Sequence, residues 1–207
     1  MKHREQRSFY AVKIKNNGLR KVIKMTLAPM IDCFCKGINA IPLQKIESAA
    51  RLVLDTINGN RHVFICGNGG SGSNANLFAG ILSRIAKRDN SGSSMFSLNS
   101  SMSTITSVAE SEGYNKIFRS QIENMAHPQD LLICISGSGN SANIIEGVLA
   151  AQRLGMKVIG LTGMGGGKLS KMADLSVIVD SDNMEQIENI HTAIIYAITM
   201  WVAENYK

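Results

Sequence analysis

Two stretches of this chain repeat one another, and each has the form of a strand, a glycine-rich turn and a helix. The first, residues 63–82, reads VFICGNGGSGSNANLFAGIL. Its apolar start at 63–66 predicts a buried strand, 67–73 a Gly/Ser/Asn turn, and the apolar segment from Leu77 a helix. The second, from Leu131, reads LLICISGSGNSANIIEGVL. Ile65-Cys66 matches Ile133-Cys134, residues 73–76 match 140–143 after a one-residue gap, Gly80 falls on Gly147 and Leu82 on Leu149. In such a unit, backbone N–H groups and the positive end of a helix face one crevice, which favours an anion. The hydroxyls of Ser71 and Ser73 can cap the helix or bind phosphate oxygens. Two units of the same chemistry predict two loops facing one ligand.

The rest of the chain supplies a scaffold for them. Residues 26–58 read as two helices that meet near Ile41-Pro42, the second carrying an apolar stripe of Ile46, Ala49, Ala50, Val53, Leu54 and Ile57. Strands are expected over 63–66, 95–98, 131–135, 157–161 and 175–179, with helices between them and one long helix over 184–205. Strands alternating with helices imply an α/β fold, a mostly parallel sheet covered on both faces, with ligands at the carboxyl ends of its strands.

Charge divides the chain unevenly. Residues 1–25 hold eight Lys/Arg against the single acid Glu5, a net +7, so the total of +6 leaves −1 for everything else. The basicity belongs to an N-terminal arm, read as a solvated tail or as a segment preceding a natural start at Met25 or Met30. The expected organisation is therefore a basic arm (1–25), N-terminal helices that serve oligomerisation (26–60) and a ligand-binding α/β domain (61–207). No apolar run is long enough for a membrane span and the first 25 residues lack the apolar core of a signal peptide. The four cysteines, Cys33, Cys35, Cys66 and Cys134, form no CxxC pair, and two fall in expected buried strands, which suits a reducing, cytoplasmic setting.

The motifs ICGNGGS, ISGSGNSANII, GMKVIGLTG with GGKLSKMAD, and the ending NMEQIENIH resemble the sugar isomerase (SIS) domain family over about residues 40–205, closest to its phosphoheptose isomerase branch, which also holds the DnaA initiator-associating protein. The resemblance implies a five-stranded parallel sheet flanked by helices in a flavodoxin-like three-layer sandwich, and a homotetramer with shared sites. It also implies a sugar phosphate ligand, contacted by Asn68, Gly69 and Gly70 with Ser71 beside them, and by Ser136, Gly137, Ser138 and Ser141 in the second loop. Gly67 to Gly72 also fits the dinucleotide pattern GxGxxG, but Asp89, at the count where that pattern needs an acid ending a second strand, follows a helical segment. The relatives' catalytic pattern is replaced. A His and a Glu on the helix after the first loop correspond to Leu77 and Ile81. A Gln and a second His on the last helix correspond to Glu188 and Tyr196, and an Asn-Asp pair corresponds to Glu110-Ser111. Leu and Ile offer a metal no ligand, so neither metal nor cofactor is expected.

Two classes of function follow. One is an aldose–ketose isomerase acting on sedoheptulose 7-phosphate or a related sugar phosphate, which needs a base at the carbons and a donor at the oxygen. Glu188 with His191 beside it, i, i+3 on the last helix, is the expected catalytic pair, with Glu110, Glu112 and Glu185 as further acids. The other is a non-catalytic phosphosugar-binding regulator or assembly protein. Neither class calls for a membrane or nucleic acid as partner.

Overall fold

The structure, a computed structural model, describes residues 27–86 and 92–206 and the backbone of two short strands, β1 (Ala11–Lys13) and β2 (Val22–Lys24), which pair antiparallel. The remainder of the expected basic arm, and Asp89, lie outside the described residues. Helices α1 (Leu27–Asn39) and α2 (Leu43–Asn58) follow, parted at Ile41-Pro42 as the sequence predicts. Then β3 (Val63–Gly67), α3 (Gly70–Ala86), β4 (Met95–Ser97) and α4 (Met102–Ser111) lead to a 3-10 turn (Tyr114–Lys116) and α5 (Ile117–Met125). The chain continues through β5 (Leu131–Ser136), α6 (Ala142–Arg153), β6 (Lys157–Thr162), α7 (Leu169–Met172) and β7 (Leu175–Ile178), and ends in α8 (Met184–Asn205).

Five strands form one parallel sheet in the order β4-β3-β5-β6-β7. The α/β fold with a five-stranded parallel sheet is thus borne out. Strand alternation divides the core in two. Val63, Ile65, Leu131, Ile133 and Ile135 face α2, α3 and α8, whereas Phe64, Cys66, Leu132 and Cys134 face α5 and α6. Both faces being covered explains why these strands read as continuous apolar runs. Helix α8 buries Ile187, Ile190, Ile194, Ile195, Ile198 and Val202 on the first face, each contributing about 1.5–3 kcal/mol of apolar burial.

From β3 the chain moves out to β4 and returns to β5 on β3's other side. The order therefore reverses between β3 and β5, the crevice where ligands bind in open α/β sheets. The two repeated loops leave those two strands. Two boundaries differ from expectation. Helix α3 begins at Gly70, inside the expected turn, because partners from distant segments hold its first residues and outweigh the poor helix propensity of Gly. The helix expected from Tyr114 opens as a 3-10 turn, since Gly113 enters it at φ +96°, a conformation that favours glycine. No helix among the described residues is long and apolar enough to cross a membrane.

Candidate functional site

The first loop is clamped from three sides. Gly67 ends β3 with both backbone groups on one side chain: its N–H donates to Asn99 Oδ1 (3.1 Å) and its carbonyl accepts from Asn99 Nδ2 (2.8 Å). At the start of α3, the Ser71 N–H and hydroxyl donate to Glu188 Oε1 at 3.1 and 3.4 Å. A Cβ on Gly70 would fall onto the Glu188 carboxylate, so glycine there makes room for the acid. Glu188 thus fills the positive end of α3 with a carboxylate from α8. The two helices run parallel. Asn74 Nδ2 donates to the Glu188 carbonyl (2.9 Å), the Thr192 hydroxyl donates to Asn74 Oδ1 (2.9 Å), and the Tyr206 hydroxyl reaches the Ala86 carbonyl (3.4 Å).

The second loop is built differently. Gly139 has φ +62°, and a side chain there would strike the Gly166 carbonyl. The segment after β6 supports it from beneath. The Gly163 N–H donates to the Gly137 carbonyl (2.9 Å), the Leu169 N–H to the Gly139 carbonyl (2.9 Å) and the Lys168 N–H to Asn140 Oδ1 (3.1 Å). Ser141 is the N-cap of α6, yet its side chain makes no capping bond; its hydroxyl lies 3.4 Å from that of Ser136. Ser138 Oγ accepts from the Asn140 N–H (3.2 Å), which leaves its proton free to donate. Thr162, the register partner of Ser136, has a buried hydroxyl without a partner. First-turn amides of a helix have no intrahelical acceptor, so the start of α6 offers N–H groups close to the Ser136 and Ser141 hydroxyls.

A reciprocal amide pair joins the loops: Asn68 Nδ2 donates to Asn143 Oδ1 (2.9 Å) and Asn143 Nδ2 to Asn68 Oδ1 (2.8 Å). The sequence reading brought Asn68, Gly69, Gly70 and Ser71 together in one loop and Ser136, Gly137, Ser138 and Ser141 in the other, and the fold sets both at the switch point. It missed Asn99 and Asn143, whose partners lie in other segments.

The expected Glu188–His191 pair is not formed, because the two side chains leave α8 for different partners. His191 is fully buried, and its Nε2 meets the Thr162 carbonyl at 3.1 Å. A carbonyl only accepts, so Nε2 carries the proton and Nδ1, which has no partner, is bare. Burial holds this imidazole down to about 4, against the opposing pull of the Thr162 bond. Leu77 and Tyr196 are 44% and 64% exposed, and Ile81 is half-buried. Leu77 and Ile81 offer no ligating atom, and among the described residues no three His, Cys, Asp or Glu side chains gather as a metal would require. These positions do not fit a metal. An open cavity of about 460 Å³ lies along α3 and β4, lined by residues such as Asn76, Ser83, Phe96 and Ser97, and no candidate site residue lines it.

The profile of the SIS domain family matches residues 34–163, a stretch that runs from α1 to the end of β6 and contains both loops. The chain belongs to the SIS domain family. Among SIS relatives, the phosphoheptose isomerase of Campylobacter concisus is 33% identical over 189 residues, covering 91% of this chain and 99% of the relative. The phosphoheptose isomerase structure from Neisseria gonorrhoeae superposes with a TM-score of 0.80 at 28% identity, covering 86% of this chain and 97% of that one. The structure of the Francisella tularensis enzyme gives a TM-score of 0.77 at 30% identity, covering 87% and 100%. The resemblance to the phosphoheptose isomerase branch, drawn from the motifs, is confirmed over nearly the whole length of these relatives.

Proposed function

We propose that this SIS protein is a phosphoheptose-isomerase-like aldose–ketose isomerase, acting on sedoheptulose 7-phosphate or a related sugar phosphate. The observation that carries the reading is the start of α6, where the N-cap hydroxyl of Ser141 is not spent on its helix and lies 3.4 Å from that of Ser136. Phosphate sits there, on hydroxyl and N–H donors and the helix dipole. The sugar then extends across the Asn68–Asn143 pair toward Gly69, Gly70 and Glu188. Isomerisation moves one proton between adjacent carbons. Glu188, fixed by the two donors of Ser71, removes it from the carbon next to the carbonyl and returns it to the neighbouring carbon, while the hydroxyl proton of the enediol intermediate passes from one oxygen to the other. His191, turned to the backbone of Thr162, positions α8 and thereby Glu188. No step of this scheme needs a metal.

Leu27, Ile31 and Leu43 are exposed on α1 and α2, as are Leu77, Tyr196 and Met200 on α3 and α8, which supports a homotetramer built through these helices. The free buried thiols of Cys66 and Cys134, 3.7 Å apart, support a cytoplasmic setting. The test is proton exchange in D₂O followed by NMR on a panel of sugar phosphates. The wild type is expected to introduce deuterium at C1 or C2 of its substrate. Tight sugar phosphate binding with no exchange would contradict the isomerase and leave a phosphosugar-binding regulator.

A further inference from the structure

The bond that fixes the Asn68–Asn143 pair also fixes a third group. Asn143 Oδ1 accepts from the Ile144 N–H at 3.0 Å, which settles which end of the Asn143 amide is oxygen. It follows that Asn68 Nδ2 is the donor toward Asn143 and Asn68 Oδ1 the acceptor. The Tyr114 hydroxyl stands 3.0 Å from that same Oδ1, so it must donate its only proton to Asn68. Both acceptor positions of Asn68 are then filled, and among the described residues one of its side-chain N–H groups has no partner. The phenol oxygen of Tyr114 keeps its lone pairs and has no proton left to give. The loop therefore presents an acceptor, the Tyr114 oxygen, and a donor, the remaining Asn68 N–H, at opposite ends of the Asn68 amide, each a match for a hydroxyl group of a polyol.

Nothing in the core explains the position of this ring. Tyr114 is 58% exposed, and the turn that delivers it depends on Gly113 at φ +96°, ψ 153°, a region that glycine adopts and side chains avoid. The turn is secured at both ends, with the Gly113 N–H on the Val108 carbonyl (3.2 Å) and the Lys116 N–H on the Gly113 carbonyl (3.0 Å).

We infer that Tyr114 is a substrate-positioning residue: its phenol oxygen accepts a proton from a hydroxyl of the sugar chain between the two loops, and so selects a polyol phosphate over bare phosphate. The inference rests on the phosphosugar reading of the site. Inorganic phosphate, bound at the start of α6, gains nothing from an acceptor at Tyr114.

Titration calorimetry of the full chain and of Tyr114→Phe, with sedoheptulose 7-phosphate and with inorganic phosphate, tests it. The variant should bind the sugar phosphate about 2- to 12-fold more weakly, the range of one net hydrogen bond. It should keep its affinity for inorganic phosphate and its melting temperature. Equal weakening for both ligands would make Tyr114 a mere stiffener of the loop and overturn the inference, as would unchanged affinity for both. If the wild type binds neither ligand, the phosphosugar reading itself fails, an outcome distinct from wild-type binding that the variant leaves unchanged.

Discussion

The two repeated loops have nearly the same sequence and end in opposite electrostatic states. At the first, the helix N-terminus is already neutralised, because Glu188 reaches across from α8 to the Ser71 N–H and hydroxyl. At the second, Ser141 stands at the helix N-terminus with its hydroxyl unspent, and among the described residues no acid side chain bonds there. One copy of the motif has taken an internal carboxylate as its anion and the other is open to an external one. A duplicated anion motif is therefore not evidence of two anion sites. Under the proposed function it yields one phosphate site and one anchored base, on loops joined by the Asn68–Asn143 bridge.

The comparison breaks most sharply at Glu188. Glu188→Gln keeps the shape and can still accept from Ser71, so sugar phosphate affinity should hold while exchange falls by about 10²- to 10⁴-fold, the usual contribution of a positioned base. Retained exchange in D₂O would remove Glu188 as the base. Next comes the tether of the helix that carries it. His191 in the unfolded chain binds a proton near 6.5, whereas in the fold it resists protonation down to about 4. As pH falls from 6.5 toward 4, the unfolded state takes up the proton first, and about 3 kcal/mol of stability present at neutral pH is lost. Urea unfolding at pH 7.5 and 4.5 measures this, and His191→Gln should flatten the profile within that window.

The smaller effects separate the loops directly. Ser138→Ala removes a donor to a charged oxygen and should weaken phosphosugar binding by about 1.5–3 kcal/mol, roughly 12- to 160-fold. Ser71→Ala, in the loop whose anion is internal, should change that affinity by less than about threefold. Calorimetry on both variants checks the contrast, and equal losses would erase the distinction drawn between the loops.

What the sequence made legible was local. Continuous apolar runs such as 131–135 announced buried parallel strands, and the Gly/Ser turns announced the loops at the carboxyl ends of two of them. The break at Ile41-Pro42 and the whole extent of α8 could likewise be read from pattern. What escaped was set by partners far along the chain. The contact that starts α3 at Gly70 spans 117 residues, from Ser71 to Glu188. The i, i+3 spacing of Glu188 and His191 suggested neighbours, but spacing gives a shared side of a helix and not the direction in which each side chain leaves it. Here one side chain answers a helix N-terminus and the other a strand's last carbonyl. Asn99, Asn143 and Tyr114 escaped for the same reason, since a polar residue in a loop, a 3-10 turn or the first turn of a helix has no periodicity to mark its distant partner.

The most direct measurement is the position of phosphorus in a crystal structure of the full chain with bound sedoheptulose 7-phosphate. The phosphate is expected at the start of α6, hydrogen-bonded to Ser138 and Ser141, with Glu188 still on Ser71 and its carboxylate facing the C1–C2 end of the sugar. Phosphate seated instead on Gly70 and Ser71, with Glu188 displaced, would contradict it.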